Sequence, residues 1–117
     1  MRYMLILYGN EKLRENVDPE AMKEMFGAYM AYTQALTASG ALVLSGPLQP
    51  SASATTVRGD RQTVEVLDGP FAETKEQLAG FFVIDVPNLD GALEWARRCP
   101  ALQGGIVEVR PMMQIGT

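Results

Sequence analysis

The chain has 117 residues, 47% of them hydrophobic, and a formal charge of -4, which fits one soluble domain over residues 1–117 with a buried core. Its ten Lys and Arg are scattered among fourteen Asp and Glu, so neither nucleic acid nor an anionic membrane surface is an expected partner. The absence of His and the single Cys exclude Ser-His and Cys-His nucleophile pairs and an internal disulfide, and leave no transition-metal site.

Arg2 to Tyr8, "RYMLILY", is a continuous apolar run rich in strand formers, ended by Gly9 and Asn10. It reads as a first strand. It is too short to span a bilayer and lacks a small-residue cleavage site. With the lone Cys99, this points to a cytoplasmic protein.

Asp18 before Pro19 predicts a helix start, because Asp accepts from orphan amides and Pro tolerates the first helical position. Met22, Met25, Phe26, Tyr29, Thr33 and Leu36 recur at helical spacing and are expected to face the core, with Lys23, Glu24 and Gln34 outside. Gly40 is the expected stop.

Ala41 to Pro50, "ALVLSGPLQP", begins as a second strand and is expected to bend at Gly46, Pro47 and Pro50. Ala54 to Arg58 and Gln62 to Leu67 read as a hairpin turning at Gly59 and Asp60. Val64 and Val66 there alternate with more polar positions as in a half-buried strand.

Leu78 to Val86, "LAGFFVIDV", is a strongly apolar strand. Asn88 caps a second helix that is predicted to reach about Cys99, with Leu89, Ala92, Leu93 and Ala96 on one face. Ile106 to Met112 closes the chain as a last strand.

This order predicts an α+β, ferredoxin-like βαββαβ fold with an inserted hairpin strand, an antiparallel sheet and two helices on one face. Yet the first strand is apolar on both sides, with Tyr3, Leu5 and Leu7 opposed to Met4, Ile6 and Tyr8. Phe81 and Val83 are likewise opposed to Phe82 and Ile84. Two helices cover one side only, so the other is expected to pack on a second copy about a two-fold axis, giving a homodimer.

The string "DGPFAETKEQLAGFFVID", flanked by "RYMLILYG", "LQPSASATTVR" and "GGIVEVRPM", resembles the DGPF-domain group of YCII-related proteins along nearly the whole chain. That resemblance implies a dimeric α/β barrel and, often, a setting beside extracytoplasmic-function sigma factors. YCII-related proteins resemble muconolactone isomerase in fold and are suspected of catalysis through a His and Asp pair. This chain has no His, so only the aspartate half carries over, to Asp68.

Two readings of Asp68 stand side by side. Burial against Leu67 and Phe71 would raise its pKa and make it a general acid or base; alternatively, its carboxylate fixes the turn at Gly69. Glu73 is a candidate second carboxylate, and Lys75 and Arg58 are candidate holders of an anionic group, against the alternative of a solvated charged rim. Tyr8 can offer a hydroxyl to a pocket at the sheet edge. The methionines are expected to fill gaps in the core and interface, and neither "LAGFF" nor "GGIVEV" has the arrangement of a phosphate loop.

The expected function is therefore cofactor-free handling of a small molecule near the "DGPF" turn. As an enzyme it would use proton transfer through Asp68, with Lys75 or Arg58 stabilising an anion. The alternative is a non-catalytic ligand-binding or regulatory module linked to a sigma factor.

Overall fold

The structure is a computed structural model that describes residues 1–115. In chain order it contains β1 (Arg2–Gly9), α1 (Pro19–Ser39), β2 (Leu42–Pro47), β3 (Thr55–Gly59), β4 (Val64–Asp68), β5 (Gln77–Asp85), α2 (Leu89–Arg97) and β6 (Ile106–Pro111). Short 3-10 turns lie at Glu11–Arg14, Ser51–Ser53 and Pro100–Leu102. The main sheet is antiparallel with order β2-β5-β1-β6, the ferredoxin-like arrangement. The β3-β4 hairpin forms a separate two-stranded ladder.

The helix boundaries follow local chemistry. The Asp18 carboxylate accepts from the Ala21 amide at 2.8 Å, with Pro19 behind it. Gly40 takes φ 82° and donates its amide to the last carbonyls of α1, a conformation that costs glycine little. Asn88 caps α2 through the Gly91 amide at 3.1 Å.

The core lies between the helices and one face of the sheet. Tyr3, Leu5 and Leu7 of β1 meet Phe82 and Ile84 of β5, Tyr32 and Leu36 of α1, and Ala92 and Ala96 of α2. Leu5, Leu36 and Ile84 are fully buried. At about 25 cal/mol per Å² of apolar surface removed from water, this cluster is the main stabilising term.

The opposite face carries Met4, Ile6 and Tyr8 of β1, with Phe81 and Val83 of β5 beside them by register. Leu44 of β2 pairs with Val83, and Ile106 of β6 with Tyr8. On this face Leu44 and Ile106 are exposed and Met4, Ile6, Tyr8 and Phe81 half-buried, while Val83 is buried among its neighbours.

Several sequence expectations are corrected. Of the α1 face, only Leu36 is buried; Met22 and Phe26 are exposed, and Tyr32 is the second buried residue. The reason is that α1 packs on the sheet through its C-terminal half and stands off it towards its N-terminus. Leu89 of α2 is exposed. Helix α2 ends at Arg97, and the buried Cys99 instead precedes the following 3-10 turn.

The break expected in the second strand is present, since β2 ends at Pro47, and a further register shift lies between Leu42 and Leu44. The hairpin is not half-buried: every residue of β4 is exposed, because within one chain no layer lies under it. Val57 pairs with Val66 and Gly59 with Val64, so three valines share one uncovered face.

The hairpin and the two-layer body make a thin molecule, 47 × 45 × 18 Å with a radius of gyration of 16.3 Å. A compact chain of this length would have a radius of about 13 Å. No helix among the described residues is long and apolar enough to cross a membrane.

Candidate functional site

A cavity of about 740 Å³ lies between α1, which borders it from Met22 to Ala38, and the β2-β5 side of the sheet. Cavities of this size commonly hold small molecules. Two features of the sequence create it.

The first is an anchor at the far end of the helix. The Tyr32 hydroxyl donates to the Trp95 carbonyl at 2.7 Å, and its ring meets Phe82 and Trp95 edge-on, with centroids 5.2 and 6.0 Å apart. This fixes the C-terminal half of α1 against α2 and the sheet.

The second is a floor with little side-chain bulk, made by Ser45, Gly46 and Pro47 of β2 with Ala79 and Gly80 of β5. A Cβ on Gly80 would lie 2.8 Å from the Gly46 carbonyl oxygen and 3.2 Å from the Pro47 Cα. Both are backbone atoms, so the close strand approach admits only glycine here.

Leu7, Met25, Phe26, Tyr29, Leu48 and Phe82 supply most of the apolar wall, with Met22 and Met30 at the exposed side. Met22, Met25 and Met30 thus border a cavity rather than fill the core. Thr33, Gln34 and Thr37 of α1 and Ser45 of β2 are polar residues of its lining, and Arg14 is the one charged residue there. A second cavity, of about 370 Å³, lies beyond Arg14 against Gly9, Leu13 and Gly104. Arg14, Met22 and Met25 border both cavities.

Arg14 is held by a well-tied turn. Asn10 caps it through the Lys12 amide at 3.0 Å, and the Glu11 amide donates to the Gln77 side-chain oxygen at 2.9 Å. The Glu11 carboxylate accepts from the Ser51 amide at 2.7 Å and its hydroxyl at 2.8 Å. The guanidinium lies along Gly9, where an added Cβ would sit 3.1 Å from Nη2. Among the described residues no carboxylate forms an ion pair with it.

Tyr29 is half-buried beside the cavity, and burial pushes its phenol above the usual value. The neighbouring Cys99 acts in the same direction, and the Arg14 charge acts against both. Cys99 is itself raised, chiefly by burial, as expected of a thiol kept as a neutral core group.

The residues singled out in the sequence do not converge on this cavity. Asp68 ends β4 at the base of the hairpin, paired through its backbone with Thr55, and its side chain is exposed. The turn after it is held by the Gly69 amide on the Ala54 carbonyl at 2.7 Å and by the Thr56 hydroxyl on the Gly69 carbonyl, also at 2.7 Å. Among the described residues the Asp68 carboxylate accepts no hydrogen bond of that turn.

Glu73 and Lys75 lie on the exposed loop between β4 and β5, and Arg58 lies in the hairpin opposite Glu65. None of these four forms an ion pair among the described residues. Tyr8 is on the uncovered sheet face and donates to the Glu108 carboxylate at 3.1 Å; that hydrogen bond raises its pKa.

The sequence placed Tyr29 on the core face of α1 and did not single out Arg14 or Glu11. The available signal was the pairing of "SGP" with "LAG", small residues on two strands that neighbour each other in this fold. No three His, Cys, Asp or Glu side chains among the described residues are grouped to hold a metal ion.

Comparison with known proteins agrees with the architecture. The YCII-related domain matches residues 1–115. An uncharacterized protein of Rhizobium meliloti (strain 1021) is 36% identical over 118 residues, which covers 96% of this chain and 92% of that protein. The chain belongs to the YCII-related family.

Proposed function

We propose that this YCII-related protein is a homodimeric small-molecule-binding protein whose ligand occupies the cavity between α1 and the β2-β5 side of the sheet. The cavity carries the reading: about 740 Å³ of mostly apolar space, with few polar groups, over a floor that the fold keeps free of bulk. The cavity opens to solvent beside the exposed Met22, Phe26 and Met30, so a molecule bound there would cover apolar surface that water otherwise meets.

The binding-module reading is favoured over catalysis at Asp68. That carboxylate is exposed at the hairpin base and is not among the cavity lining, and among the described residues no ion-paired partner orients it. Proton transfer needs a group within hydrogen-bond reach of the bound substrate.

The second copy is argued from the uncovered surfaces. Met4, Ile6, Leu44 and Phe81 on the sheet, and Val57, Val64 and Val66 on the hairpin, form apolar faces that the chain's own helices do not cover. A two-fold axis pairs such self-complementary patches with one rule of contact.

The test uses N-phenyl-1-naphthylamine, an uncharged aromatic probe. One probe should bind per chain and shift the methyl signals of Met22, Met25 and Met30, and Thr33→Trp should block it. Shifts confined to Met4, on the other sheet face, would refute the cavity as the site. For the dimer, light scattering should give twice the chain mass, and Ile6→Glu should halve it. A monomeric mass for the unaltered protein would refute that part.

A further inference from the structure

We infer that the ligand of this cavity is an organic monoanion, an aromatic or aliphatic body bearing one carboxylate or sulfonate group, held at that group by the Arg14 guanidinium and the Tyr29 hydroxyl. The inference rests on the cavity being the ligand site and adds the chemistry that selects what enters it.

The donors and acceptors around the cavity are unequal. The Thr33 and Thr37 hydroxyls donate to the carbonyls of Tyr29 and Thr33, each at 2.8 Å, so their hydrogens are committed to the helix. The Tyr29 hydroxyl has no hydrogen-bond partner among the described residues. A phenol is protonated at neutral pH, and burial moves it further in that direction, so it presents a hydrogen.

Arg14 adds a planar fork of N–H groups. No carboxylate is paired with it among the described residues. Glu24, the acidic residue that borders the second cavity, makes no ion pair with Arg14 among the described residues.

No acidic side chain lines the main cavity. A cationic ligand would therefore face an unpaired guanidinium with nothing to offset its charge. A neutral apolar ligand would leave Arg14 and Tyr29 partly desolvated without new hydrogen bonds. A single oxyanion group satisfies both, and Arg favours the bidentate geometry that carboxylate and sulfonate offer. The apolar remainder of such a ligand lies along Met25, Phe26 and Phe82, where methionine adapts to its shape.

The test compares two probes with the same ring system: 1-anilinonaphthalene-8-sulfonate, an anion, and N-phenyl-1-naphthylamine, which is neutral. Both are titrated into the full chain and into Arg14→Met, Arg14→Lys and Tyr29→Phe, with the methionine methyl signals locating each probe and circular dichroism verifying the fold.

Arg14→Met should weaken the anionic probe about ten- to a hundredfold more than the neutral one, the weight of one charge-assisted contact. Arg14→Lys should restore part of that difference, and Tyr29→Phe should produce a smaller one. Equal losses for the two probes, or no loss, would overturn the anion inference while leaving the cavity as a ligand site. Failure of both probes to bind the unaltered protein would overturn the cavity reading together with it.

Discussion

Replacing Tyr32 by Phe removes one hydroxyl from the anchor that holds α1 against α2 and the sheet. The lost bond is the 2.7 Å contact to the Trp95 carbonyl, and a net intramolecular hydrogen bond contributes about 0.5 to 1.5 kcal/mol. That carbonyl still accepts from the Arg98 amide at 3.2 Å, so it is not orphaned and the larger penalty for an unpaired buried group does not apply. The edge-on contacts with Phe82 and Trp95 survive in Phe. Tyr32→Phe should therefore cost about 1 kcal/mol, whereas Tyr32→Ala, which empties the space, should cost about 3 to 5 kcal/mol. Urea unfolding followed by the fluorescence of Trp95, the only tryptophan, measures both, with unchanged m-values. Protomer concentration must be held fixed, since association adds to apparent stability. A Phe variant as unstable as the Ala variant would show that the hydroxyl, not the ring, carries the anchor. A Phe variant that loses nothing would show that the bond has no net weight; either result refutes the reasoning.

Two further outcomes follow from the core and the turns. Burial raises the pKa values of Tyr32, Tyr29 and Cys99 above their ordinary values of 10.0 for the phenols and 9.0 for the thiol. The folded protein therefore keeps protons that the unfolded chain releases, so stability is full below about pH 9 and falls as pH rises through those values. Denaturation series between pH 8 and 11 should show that fall, made shallower in Cys99→Ala with Tyr32→Phe; stability that stays level over the range would contradict the buried, neutral state of these groups. A Cβ on Gly105 would lie 2.5 Å from the Ala101 carbonyl oxygen and 2.6 Å from that of Tyr8, whereas one on Gly27, inside α1, would meet nothing within 4 Å. In thermal melts Gly105→Ala should lower stability by about 1 to 3 kcal/mol, and Gly27→Ala should raise it by about 0.5 to 1 kcal/mol; shifts of the same sign would refute the contrast.

The elements were legible in the sequence where the signal was local. Asp18-Pro19, Gly40 and Asn88 mark helix ends through groups within a few residues of one another, and the continuous apolar run in Arg2 to Tyr8 gives a strand with two apolar faces. The βαββαβ order then leaves few topologies, and the observed β2-β5-β1-β6 order is the ferredoxin-like one. Periodicity misled in α1 because it records which residues share a face, not whether anything lies beneath that face. Phe26 and Met22 keep helical spacing with Leu36 yet are exposed, since the strands under them end in small residues. The valines of the hairpin repeat the lesson: alternation without a second layer is not burial.

By itself the sequence determined the secondary structure, the fold class and the excess of apolar strand surface, because propensity, capping and period act between near neighbours. The tertiary structure alone decided where the space is. The cavity depends on the height of α1 above Ser45, Pro47 and Gly80, and on Arg14 reaching it from a turn tied to Ser51 and Gln77. These contacts join residues tens of positions apart, where no local pattern can record them, and they move the leading site from the conspicuous Asp68 turn to the underside of the first helix.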